Sequence, residues 1–449
     1  MKKKIVISTV LVLLLTGCAD QVPTLDDAVS SIKSGEANPK APKHYAAKTS
    51  SRKVDDGWIR KFRDPTLNSL VAEAQKNNFD LKAAKNRVAR SEALTRLAGS
   101  QLKPTVGLGV MYDDEHYSPA DNITIGGLAA SWEPDVWGRV QNVVASQAEL
   151  SEATLSDYNF ARQSLAANTA KAWFTLNANN ETYRFYKDLV GIQEKALKIL
   201  TAREEIGQGD KRDVHVSRAL VAEAKENATL ARTFKENSQR ALEVLIGRYP
   251  SAALRAKKLS AVPPRIPAGL PSELLERRPD MISAEYRVAA AFHKKEAKDL
   301  LYMPSINLNV ALGPNSVNNM IGSLIAGVIA PIYTGGAIEA EIDIATAEQN
   351  ATIEAYRQNA LIAFQEVENA LASEKYLASR YKYSKTMAFE YKAAYDMTVK
   401  KYDVGQSTVL EILLIQGKWV AAEIIKVDVA KSRLINRVNL HLALGGSFK

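Results

Sequence analysis

Shifted by about two hundred residues, the chain matches its own pattern of punctuation from near residue 70 to near residue 445. Asp80, Ala84, Arg87, Val88, Ala89 and Pro104 fall on Asp280, Ala284, Arg287, Val288, Ala289 and Pro304. Farther along, Pro134 and Gly138 fall on Pro331 and Gly335, Gly207-Gln208 on Gly405-Gln406, and Leu242 and Gly247 on Leu440 and Gly445. The offset moves only from 200 to 197 to 198, as turns of slightly different length would produce. A solenoid unit has about 20–50 residues, so the element repeated here is a whole supersecondary module. Length alone would suggest about three domains. The repeat argues instead for one domain of two halves, 58–247 and 271–449, joined by a connector over 248–270. Each half reads helix, helix, strand pair, very long helix, turn, long helix.

The N-terminus is an address. Lys2, Lys3 and Lys4 precede an apolar run from Ile5 to Leu15, which closes on Leu15-Thr16-Gly17-Cys18. The run is too short to span a bilayer, so residues 1–17 are read as a cleaved signal peptide. Its ending resembles a bacterial lipoprotein cleavage box, which makes Cys18 an acylated first residue. Ala19 follows, with no aspartate of the kind that resembles inner-membrane retention, so the outer membrane is the expected destination. Cys18 is the only cysteine, which leaves the mature chain without a disulfide or a thiolate zinc site. Replacing Cys18 with Ser should abolish incorporation of labelled palmitate. A mature protein that carries no lipid with Cys18 in place would overturn this reading.

Three of the nine net positive charges belong to the leader, and the remaining basic residues alternate with acidic ones. Nucleic-acid binding needs a clustered basic face with interleaved aromatics, and none is present. Residues 18–57 are polar, with prolines and alternating charges, and read as an extended arm. Order begins at Trp58 and Phe62. Asp64-Pro65 opens a helix that ends near Asn77-Asn78, Asp80 is expected to cap the next, and Pro279-Asp280 repeats the pattern.

Pro104 and Pro304 are each followed by a strand. Val106, Leu108, Val110 and Tyr112 alternate with Gly107, Gly109 and Met111, and Ile306, Leu308, Val310 and Leu312 alternate with Asn307, Asn309 and Ala311. Return strands over 123–132 and 321–329 end at Pro134 and Pro331. A tilted strand needs about 9–11 residues to cross a bilayer, close to what these segments offer. The alternation places the apolar side chains toward lipid and the small or amide ones toward a wet interior. Four strands cannot close a barrel, and an open edge is not tolerated in hydrocarbon. Two chains would supply eight strands and three would supply twelve.

The long helices are the clearest element. From Ala337 to Tyr402 there is neither glycine nor proline. Tyr356, Ala360, Ala363, Val367, Ala370, Glu374, Leu377, Tyr381, Ser384 and Ala388 keep a 3-4 spacing, a coiled-coil signal whose seam is rich in Ala, Ser and Tyr. Sixty-odd residues at 1.5 Å each reach roughly 100 Å. The fold class that follows is mainly α with membrane β.

No catalytic constellation is found. There is no phosphate-cradling glycine loop with a lysine and no GxSxG elbow, and His44, His116, His215, His293 and His441 are scattered. Glu273, Glu276, Arg277 and Arg278 read as helix-end electrostatics. A conduit or scaffold fits better than an enzyme, and beyond a lipid on Cys18 the sequence calls for no cofactor.

Three segments resemble the TolC-like outer-membrane efflux ducts, in particular the lipoprotein branch that serves tripartite pumps. The first is Trp58, Phe62-Arg63-Asp64-Pro65, Leu67 and Leu70 with Asn78-Phe79-Asp80-Leu81. The second, the most specific, is Leu274-Leu275-Glu276-Arg277-Arg278-Pro279-Asp280 with Ala284-Glu285 and Ala289-Ala290-Ala291. The third is Pro331-Ile332-Tyr333 with Gly335-Gly336, which matches the family's strand-to-helix swivel. The resemblance covers residues 58–446. It implies a homotrimer whose four strands per chain make a twelve-stranded barrel, continued by a twelve-helix tunnel. Its partners would be a periplasmic membrane-fusion adaptor and an inner-membrane transporter, of RND type above others. It places the adaptor-docking tips at Gly207 and Gly405 and a latch between Tyr402 and Asp213. Where some members have an arginine this chain has Ser407, and the family's two pore carboxylates become Glu411 and Leu414. Glu411 would then line the aperture, or else pair with a lysine of a neighbouring helix. A periplasmic adaptor would carry one helical hairpin, not two separated by strand pairs. A soluble coiled-coil scaffold would not need strands of membrane length.

Overall fold

A computed structural model describes residues 45–46, 56–113, 123–264, 266–269, 271–314 and 320–448. Cys18, the leader and most of the arm lie outside the described residues. A 3-10 turn at Trp58–Phe62 leads into α1 (Pro65–Asn77) and α2 (Phe79–Ser100). Strands β1 (Thr105–Asp113) and β2 (Ile123–Trp132) follow, then α3 (Arg139–Glu205) and α4 (Lys211–Leu245). The second half repeats the order with α5 (Pro271–Arg277), α6 (Pro279–Asp299), β3 (Ser305–Pro314), β4 (Met320–Ile329), α7 (Ala337–Asp403) and α8 (Val409–Ala443). The two long helices have 67 residues each and the two returning helices 35 each. α3 continues through Gly191 without a break.

Local chemistry sets the boundaries. Asp64 caps α1 by accepting from the backbone N–H groups of Thr66 and Leu67, and Pro65 occupies the first helical position, as expected. The cap of α2 differs from the expectation. Asn78 accepts from the N–H of Leu81, and Asp80 sits inside the first turn, where its charge meets the helix dipole. The α7 cap is also displaced by one residue. Gly336, at φ 85°, occupies the place that Gly138, at φ 80°, holds before α3, so the 198-residue offset already applies here.

The four strands form one antiparallel sheet in the order β1-β2-β3-β4. Leu108 lies opposite Leu128, which lies opposite Leu312, and Val310 lies opposite Leu324. One face therefore collects Val106, Leu108, Val110, Leu128, Val310, Leu312, Leu324 and Val328, and Leu108 is 86% exposed. The other face carries Gly107, Gly109, Ser131, Asn307, Asn309 and Ser323, as the alternation implied. Ile325 and Ile329 break that pattern on β4. Among the described residues both edges, β1 and β4, lack a neighbour within the chain. Among the described residues no helix is long and apolar enough to cross a membrane.

The helices make a strip. Near the sheet α3 and α6 pack together, with α2 against α3 and α7 against α6; toward the tips α4 and α8 pack against α3, and α7 against α8. The main core lies midway. Trp58, Phe62, Leu67 and Leu70 pack on Trp173 and Phe174 of α3, Leu242 of α4, and Leu434 and Val438 of α8. Asp64 has a second role there, accepting from Trp173 Nε1 at 2.7 Å. The connector is held by acceptors on the helices. Glu243 takes the N–H groups of Ala252, Ala253 and Leu254, Asn177 that of Lys257, and Glu181 that of Leu259.

The seam of α7 is buried at Tyr356, Ala360, Ala363, Val367, Ala370, Ser384 and Ala388. Glu374, the charged position in that seam, accepts from the buried guanidinium of Arg437 on α8 at 2.6 Å. His441, on α8, is fully buried and stacks on Trp58. The charged cluster around Arg278 is more than helix-end electrostatics. Arg278 is buried and donates to Asp280, to Glu366 of α7 and to the carbonyl of Ala443, so it ties three elements together.

Candidate functional site

The far ends of the helical hairpins are built twice, with one geometry. In the first, the N–H of Gly207 donates to the carbonyl of Glu204 and that of Gln208 to Arg203. In the second, Gly405 donates to Tyr402 and Gln406 to Lys401. Both glycines lie at positive φ, 73° and 77°, the left-handed residue that ends a helix in a Schellman motif. Ile206 and Val404, one residue earlier in each tip, are exposed apolar side chains at equivalent positions.

The returning helices begin with caps. Asp210 accepts from the N–H of Arg212 and starts α4. Thr408 and Glu411 form a capping box at the start of α8, each side chain accepting from the other's backbone N–H at 3.2 Å. The Thr408-x-x-Glu411 spacing is the sequence signal for this box. Ser407 also donates to Glu411, and these two hydrogen bonds, Ser407 first, hold the Glu411 carboxyl below the usual carboxylate range. Asp213 and Glu411 are the same position of the repeat, the third residue of α4 and of α8. Glu411 makes no ion pair with a lysine among the described residues, and Leu414, one turn on, is half exposed.

The Tyr402–Asp213 pair is not formed within the chain. The Tyr402 hydroxyl accepts from Arg203 Nη2 at 2.8 Å, and the same guanidinium lies 5.5 Å from its ring centroid. Asp213 accepts from its neighbour Arg212 at 3.1 and 3.2 Å. Each group is satisfied by a nearer cation. Arg203, which the sequence reading passed over, joins the first hairpin to the second at the tip through this hydrogen bond. Tyr402 also rests on an apolar cluster of Ala196, Leu200, Val214, Val409 and Leu413.

A family model described as "Outer membrane efflux protein" matches residues 70–248 and 270–446, one match for each half of the repeat. The chain belongs to the outer membrane efflux protein family. It is similar to the pyoverdine export outer membrane protein OpmQ of Pseudomonas aeruginosa, at 30% identity over 97% of this chain and 95% of that one. The cation efflux system protein CusC of Escherichia coli is 26% identical over 88% of each chain. Among solved structures, the open state of the Neisseria gonorrhoeae MtrE outer membrane channel superposes with a TM-score of 0.80 at 26% identity, over 91% of this chain and 97% of that one. The Campylobacter jejuni CmeC outer membrane channel gives 0.83 at 22% identity, over 94% and 92%.

As an efflux protein of this family, the chain is the outer-membrane exit duct of a tripartite pump. It supplies four strands to a trimeric twelve-stranded barrel, which continues through the periplasm as a twelve-helix tunnel. The apolar face of the sheet is then the lipid face, and the two unpaired strand edges are those that neighbouring copies cover.

Proposed function

We propose that the duct is anchored by a lipid on Cys18, is held shut at its hairpin tips, and opens when a periplasmic adaptor engages the turns at Gly207 and Gly405. An inner-membrane transporter, of RND type in this reading, delivers cargo through that adaptor. Relatives named for pyoverdine, toluene and cation efflux share the architecture, which supports cargo selection upstream of the duct. The observation that carries the gate is the packing of Tyr402. Its oxygen already accepts from Arg203, so its own proton is left to donate, and Asp213 retains a second carboxylate oxygen as acceptor. Convergence of the tips would join the two.

A hydrogen bond to a charged group contributes about 1.5–3 kcal/mol, so each latch is worth roughly tenfold or more in a closing equilibrium. Tyr402→Phe combined with Asp213→Ala should therefore raise single-channel conductance severalfold in planar bilayers and admit bulky antibiotics into cells. Unchanged conductance in the double variant would move the latch elsewhere. Glu411 in three copies would ring the axis, with Leu414 as a drier band beside it. Such a carboxylate ring favours cations. Glu411→Gln in the same recordings should lower the cation-to-anion permeability ratio and weaken block by trivalent cations.

A further inference from the structure

The helical strip has two unlike faces at the level of the main core. On α3, Trp173, Phe174 and Ala170 turn into that core, beneath the connector. Ser164, Asn168, Lys171 and Thr175, spaced three and four apart, fall on the opposite side of the helix. On α8, Leu434, Val438 and His441 face the core side, whereas Asn436, Asn439 and Ala443 fall opposite. The duct reading turns the side away from the core and connector toward the axis of the ring. This wall is polar but almost without charge.

Lys171 and Glu366 are the exceptions. Lys171 lines a cleft of roughly 400 Å³ with Asn369, Ser373, Asn436 and Asn439, at the place where α8 ends and α6 begins. Glu366 is the carboxylate of that cleft, and Arg278 engages it. No ion pair or hydrogen bond of the Lys171 ammonium is found among the described residues. Burial alone pushes its pKa down. The amide of Asn436 is turned to the carbonyl of Ala370 at 2.9 Å, and those of Asn369 and Asn439 remain exposed in the cleft. The repeat sharpens the contrast. Lys171 and Asn369 are equivalent positions of the two halves at the 198-residue offset, so one site of the wall is a cation in the first copy and an amide in the second.

A half-buried cation with no ion pair among the described residues, in a cleft whose carboxylate is taken by Arg278 and whose other groups are amides and a hydroxyl, matches an anion that accepts several hydrogen bonds. We propose that Lys171, with Asn369 and Asn439, forms a station in the tunnel wall for carboxylate groups on exported cargo. Three such stations would lie at one height in the trimer, and a lysine ring selects for anions as a carboxylate ring does for cations. The arrangement would hold an acidic solute briefly between the tips and the barrel. It rests on the duct reading above.

The test uses full-length protein in planar bilayers, with citrate added from the barrel side so that the tips are not in its path. Citrate should reduce the wild-type current in a concentration-dependent way. Loss of the charged donor should raise the half-blocking concentration in Lys171→Gln by about tenfold or more. Lys171→Arg should keep the block, and Asn369→Lys, which places a second cation at the equivalent position, should strengthen it. Equal block in wild type and Lys171→Gln would overturn the station, as would an Asn369→Lys channel no more sensitive than wild type. Failure of the wild-type protein to form channels at all would instead count against the duct.

Discussion

Chains carrying both Ala83→Cys and Ala351→Cys, oxidised in outer-membrane fractions, are expected to migrate as covalently linked trimers on non-reducing gels. The expectation comes from the internal repeat. Within the chain α6 packs on α3, and the Ser283 hydroxyl donates to the carbonyl of Ala153 at 2.9 Å, so the two helices are in close contact there. Offsets of 200 and 198 carry Ser283 back to Ala83 on α2 and carry Ala153 forward to Ala351 on α7. Both alanines are exposed in the single chain, one on each edge of the helical strip. If a neighbouring copy continues the strip as the second half continues the first, its α2 meets this α7 with the same spacing. A disulfide needs Cα atoms within about 4.4–6.8 Å, which a contact of that kind supplies. Cys18 is the only native cysteine, so background cross-linking is small and each single variant should stay unlinked. Double-variant chains that assemble and conduct normally but never link would show that the interface between copies departs from the one inside the chain.

Glu374→Ala should be the most destabilising single change in the helical seam. Arg437 is only 1% exposed, and its guanidinium donates both to Glu374 and to the carbonyl of Pro264 in the connector. Removing Glu374 breaks this buried ion pair, a loss of about 3–5 kcal/mol. The temperature at which purified trimers dissociate should fall by many degrees. Glu374→Gln keeps an acceptor oxygen and should cost less. Replacing both partners, with Leu at 374 and Met at 437, should recover much of the loss, because no charge is then left buried. A double variant as unstable as Glu374→Ala would refute the ion pair as the cause.

The parts of this molecule governed by nearest-neighbour chemistry were legible in the chain. Asp64-Pro65 announced the start of α1, alternation announced β1 and β3, and the 3-4 spacing around Val367 announced the buried seam of α7. Errors of one or two residues came where two candidates compete for one role. Asn78 took the cap expected of Asp80 because it stands at the point where the backbone leaves the extended region. Gly336 took the place expected of Gly335 because either glycine can adopt the left-handed turn. What could not be read were pairings across long separations. Glu374 looked anomalous in its seam until Arg437, sixty-three residues on, supplied the reason. Tyr402 and Asp213 were placed together by resemblance, but Arg203 lies nearer to the tyrosine and Arg212 nearer to the aspartate. The capping role of Glu411 was available in the sequence from Thr408, three residues before it.

The matched lengths of the hairpins act as a gauge. Because α3 equals α7 and α4 equals α8 in residues, the two hairpins of one chain have the same reach, and hairpins that start level in a ring of three chains would end in a level rim. One residue inserted into α3 alone would turn everything beyond it by about 100° and push one tip about 1.5 Å past its twin. Length in these helices is therefore a shared quantity, which neither half can change alone. An engineer wishing to span a wider periplasm would have to add whole heptads to all four helices at once. Seven residues in each would keep every seam in register and advance the rim by about 10 Å.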